Sequence, residues 1–137
     1  MAWATQTAAL AAGILVSAGL FETGEFLLPD PISGTGSVSG PVTAGEIAIV
    51  DWVISKSTDC PGVSSRVWFG EDGFQLTEPL QMTALPVGEN MQYAIQTDVP
   101  LMAPPGLLEL HIIGKFECPG QAARAFDLGP VFMTVED

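Results

Sequence analysis

From Glu46 onward the apolar residues recur with a period of two, and no part of that region carries the period of a helix. In Glu46–Ile54, Ala48, Val50, Trp52 and Ile54 share one face. In Met91–Val99, Met91, Tyr93, Ile95 and Val99 alternate with Gln92, Gln96 and Asp98. In Leu107–Glu117, Leu108, Leu110, Ile112 and Phe116 alternate with Glu109, His111, Lys115 and Glu117. Such alternation belongs to antiparallel strands that bury one face. Shorter strands are expected at Ser65–Phe69, Phe74–Leu76, Leu80–Ala84, Ala122–Leu128 and Val131–Val135. The chain holds 15 glycines and 11 prolines, enough to punctuate many short strands. Asp72-Gly73 suits a tight hairpin turn, and Gly129-Pro130 suits a bulge or an edge kink. The expected class is all-β, an antiparallel sandwich.

Two stretches of this region are alike. Residues 52–68 read WVISKSTDCPGVSSRVW, and residues 111–126 read HIIGKFECPGQAARAF. Each has Lys, an acid, Cys-Pro-Gly, two small residues, Arg and an aromatic, in that order. All the cations of the chain, Lys56, Arg66, Lys115 and Arg124, fall inside the two copies. Pro-Gly favours a turn in which Gly takes positive φ. Each copy therefore reads as a hairpin with Cys60 or Cys118 at its tip.

Over roughly residues 38–137 this strand order resembles an immunoglobulin-like or fibronectin III-like sandwich. The resemblance rests on order and not on a motif. Antibody domains carry their cysteines on strands, whereas both here lie in turns; Trp52 precedes the first Cys, and Trp68 follows it. In such a sandwich the two tips lie at the same end. The resemblance thus implies a Cys60–Cys118 disulfide, set against two free thiols in a reducing compartment. The bridge would be worth on the order of 4 kcal/mol in the chain-entropy account. Lys56, Arg66, Lys115 and Arg124 then read either as ion pairs across the tips with Asp59 or Glu117, or as a surface for a partner.

Residues 1–28 form a separate piece. Residues 1–21 contain no Asp, Glu, Lys, Arg or His, and Ala8–Phe21 reads AALAAGILVSAGLF. A helix from Ala4 to Phe21 would be about 27 Å long, the lower limit for crossing a bilayer. Gly13, Ile14, Leu15 and Val16 are apolar all round rather than striped, which marks them as the anchor. A secretory signal, a membrane helix, and a helix or arm packed on neighbouring subunits are the competing readings. A basic n-region is missing, since the first cation is Lys56. A fourth account has the segment cover the domain's own core. Residues 29–45, PDPISGTGSVSGPVTAG, have loop composition and read as a linker to a domain over residues 46–137.

The charge excludes some roles. Sixteen acids against 4 bases give −12, so the chain lacks the cationic footprint that holds a phosphate backbone, and no nucleic acid is expected. With one His and two Cys, no cofactor or metal is expected, and His111 reads as a surface residue without acids at ligand spacing. No hydrolase, metalloprotease or nucleotide-binding motif occurs. The reading is a non-enzymatic structural subunit: a virion capsid or decoration protein that docks through its apolar N-terminus. The alternatives are a pilin-like filament subunit and a membrane-anchored accessory module. The expected partners are copies of itself, other structural subunits, or lipid at residues 1–28. The expected place is a virion or cell surface.

Overall fold

The computed structural model describes residues 30–82 and 85–137. The expected N-terminal helix or arm, with its anchor at Gly13, Ile14, Leu15 and Val16, lies outside the described residues. The rest is two antiparallel sheets that form a sandwich-like body. Its strands are β1 (Ile32–Ser37), β2 (Ile47–Lys56), β3 (Gly62–Gly70), β4 (Gln75–Thr77), β5 (Gln81–Met82), β6 (Gly88–Asp98), β7 (Gly106–Phe116) and β8 (Arg124–Val135). The smaller sheet has the order β1-β2-β6; the larger has β4-β3-β7-β8, with β5 also on β3.

The period of two fills the space between the sheets. Ala48, Val50, Trp52 and Ile54 of β2 face Trp68 of β3 and Leu108, Leu110 and Phe116 of β7 in one buried cluster. In β8 the buried set is Phe126 and Leu128, then Val131, Met133 and Val135. The inward phase slips by one residue at Gly129-Pro130, where the pairing with β7 shifts between Leu110 and Ile112. Gly129 has φ 141°, and a Cβ there would stand 2.8 Å from the Leu110 carbonyl oxygen. Only glycine fits that approach.

Two expectations are corrected. The stretch 29–45 is not a linker throughout. Residues 32–37 pair with β2 from Ile32–Lys56 to Ser37–Asp51. Val42 is buried and bridges Val135. The inward positions of β1 are Ile32, Gly34 and Gly36, so the alternation exists but hydropathy barely registers it. Gly36 leaves room for Trp52, whose ring would sit 2.9 Å from an added Cβ. The copy at 52–68 is also not a hairpin. Its first strand lies in the smaller sheet and its second in the larger, so its turn crosses between sheets. The copy at 111–126 is a hairpin, β7 to β8.

Candidate functional site

Gly62 of β3 pairs with Phe116 of β7, so neighbouring strands carry the two Cys-Pro-Gly turns to one end. There Cys60 and Cys118 form a disulfide with a Cα–Cα distance of 5.1 Å. Glu117 donates its backbone N–H to the Pro61 carbonyl at 2.9 Å, and Cys60 N–H donates to Thr58 Oγ1 at 3.1 Å. Beneath the bridge the Phe116 and Phe126 rings stack at 5.1 Å. The chain enters this end too: Ser57 N–H donates to the Pro31 carbonyl at 3.0 Å, and Ser57 Oγ donates to that of Asp30 at 3.0 Å.

The cations do not gather into one patch. Lys56 is only 6% exposed, a correction to its reading as a partner contact. Its Nζ donates to the Leu85 carbonyl at 2.5 Å and lies 5.4 Å from the centroid of the Phe116 ring. An ammonium at the end of an inward-facing strand is retained because a carbonyl and a ring face replace water. Arg66 pairs not with a tip acid but with Glu78, its Nε at 2.9 Å and an Nη at 2.7 Å from Oε1. The other carboxylate oxygen of Glu78 accepts from Trp68 Nε1 at 2.7 Å, and Ser65 Oγ donates to the Glu78 carbonyl. Glu78 thus pins the segment after β4 onto β3. Lys115 pairs with Glu117 at 3.0 Å on the open surface. Arg124 opens β8 opposite Phe116.

His111 departs most from its sequence reading. It stands on the outward face of the larger sheet, yet its side chain is only 17% exposed. Nδ1 lies 3.1 Å from Asp127 Oδ1, and Nε2 lies 3.4 Å from Glu109 Oε1. The Phe69 ring meets it edge-on at 5.6 Å. Burial works against the charged ring, but the hydrogen bonds and charges of Asp127, and then of Glu109, outweigh it and raise its pKa above the usual histidine value. Glu109 was readable in the sequence as the residue two positions away on the same face. Asp127 was not, because it arrives from β8. Among the described residues no group of three or more His, Cys, Asp or Glu is placed to hold a metal ion.

The outward faces of both sheets also carry apolar side chains in contact with solvent. Ile47, Ile49 and Val53 stand on β2, and Leu107, Ile113 and Phe132 on β7 and β8. Among the described residues no helix is long and apolar enough to cross a membrane. No protein-family model matches the chain, and no curated protein matches it.

Proposed function

We propose that the chain is a non-enzymatic structural subunit of a multi-subunit assembly, a small acidic sandwich that docks through residues 1–28. The observation that carries this reading is the apolar side chains on the outward faces of both sheets. An isolated body gains nothing from Ile47, Ile49, Phe132 and Leu107 in water, whereas a packed subunit buries them. The disulfide accords with an oxidising setting, a virion or a cell surface. The strand order, three against four with β5 appended, supports the finer reading of an immunoglobulin-like, specifically fibronectin III-like, sandwich. A virion capsid or decoration protein fits best. A pilin-like filament subunit, which also joins an apolar leading segment to a sandwich, is the second form, and a membrane-anchored module is the third.

Electron microscopy of the purified full-length chain tests the proposal. Shells or fibres are expected, and deletion of residues 1–28 should abolish them while leaving a cooperatively folding, soluble domain. A full-length chain that stays dispersed without detergent overturns the assembly reading. One that needs detergent to stay in solution supports the membrane-anchored form.

A further inference from the structure

The free sheet edges differ. β4 and β5 are 3 and 2 residues long. β8 is broken by Pro130 and its register shift, and β1, with two glycines, lies against β8. These are ordinary ways of blunting an edge. From Met91 to Asp98 β6 has none of them; its register shift against β2 and the positive φ of Asn90, 52°, are confined to its first three residues. It is 11 residues long, ends the smaller sheet, and pairs regularly with β2 from Met91 to Asp98. Residues 91–97, MQYAIQT, contain no charge and no proline in a chain of net charge −12. The sandwich is also open along this side: Ile95 shares the inward face with Val50, its partner across the ladder, yet is 36% exposed where Val50 is 0%.

We infer that β6 is an interface on which a second copy of this chain pairs, strand to strand and antiparallel, about a two-fold axis at Ala94. The sequence of β6 is complementary to itself in that register. Ala94 meets Ala94, Gln92 meets Gln96, Tyr93 meets Ile95, and Met91 meets Thr97. The pairs combine aromatic with β-branched side chains and amide with amide, which favours cross-strand contact. Residues 91–97 of the two copies bring no acid into this ladder, and Asp98 and Glu89 lie outside it. On so acidic a body, an uncharged edge lets two copies approach with little repulsion. The product is a continuous sheet of order β1-β2-β6-β6-β2-β1 that covers the open seam at Tyr93 and Ile95. This names a partner surface for the assembling subunit proposed above and rests on that reading.

The test uses the full-length chain with single cysteines added. Ala94→Cys should cross-link into a covalent dimer on mild oxidation, because paired Cα atoms in such a ladder lie within disulfide reach. Thr35→Cys, on the opposite edge of the same sheet, should not. Ala94→Lys sets two ammonium groups face to face and should weaken dimerisation at least about tenfold by sedimentation, with circular dichroism unchanged. Thr35→Lys, of equal charge, should leave it intact. Equal cross-linking at both positions, none at Ala94→Cys, or an Ala94→Lys chain that dimerises normally overturns the pairing. Particles that form without cross-linking at Ala94→Cys refute β6 and leave the assembly reading standing. A cross-linked dimer that builds no particle does the reverse.

Discussion

Two carboxylates from different strands close on the His111 ring, and the direction of its titration follows from them. When protonated, both ring nitrogens donate, Nδ1 to Asp127 and Nε2 to Glu109. The folded-state pKa lies above the ordinary histidine value of 6.5, so this stabilisation is fully present below pH 6.5 and is lost as pH rises through the raised value. His111→Gln should therefore cost about 1–2 kcal/mol at pH 5.5 and much less at pH 8.5, read from urea midpoints at the two pH values. An equal cost at both would mean that the ring matters only as packing. Glu78 is the second residue on which much depends. Glu78→Ala leaves Trp68 Nε1 buried without its acceptor and should cost about 2–3 kcal/mol, whereas Glu78→Gln keeps an acceptor and should cost less. Gly129→Ala combines a positive φ with a clash on the Leu110 carbonyl and should cost about 2 kcal/mol or more in thermal unfolding.

Whole strands were legible wherever their inward residues were large. The faces of β2 and β7 stand as their alternation predicts, with Val50, Trp52, Leu108 and Leu110 inside. β1 is silent in hydropathy because its inward positions hold Gly34, close against Val53 and Ile54, and Gly36, close against Trp52, so the same period of two has the composition of a glycine-rich loop. β8 read as two strands because a one-residue slip at Gly129-Pro130 reverses its phase. The repeated Cys-Pro-Gly tips were legible as chemistry but not as topology. A turn sequence fixes local geometry, whereas the sheet each flanking strand joins is decided by long-range pairing. The repeat also suggested a shared fate for Lys56 and Lys115, yet one is buried against Phe116 and the other faces solvent. The disulfide ties these unlike connections together. Replacing both cysteines with serine should lower stability by about 2–4 kcal/mol, measured by chemical denaturation against the oxidised chain. A loss under ~1 kcal/mol would mean that the β3–β7 pairing already holds the tips as firmly as the bond does.

Across the whole molecule the charge is one-sided, −12 in total. Self-repulsion of this kind destabilises the compact state and is screened by salt, so the melting temperature of the chain should rise between low and roughly 0.5 M sodium chloride. A melting temperature that falls instead would show that the few ion pairs, such as Arg66–Glu78, outweigh the surplus acids. The charge is also unevenly placed along the strands. Ser57, three residues before Cys60, donates to the Asp30 carbonyl, so Asp30, the first described residue, lies at the pole of the disulfide. The pole at the other end of the strands holds Glu46, Glu71, Asp72, Asp98, Glu136 and Asp137, with no lysine or arginine among them. Bodies tethered side by side by their leading segments would stand like bristles with negative tips, and the mutual push of those tips would set how densely they crowd a common support.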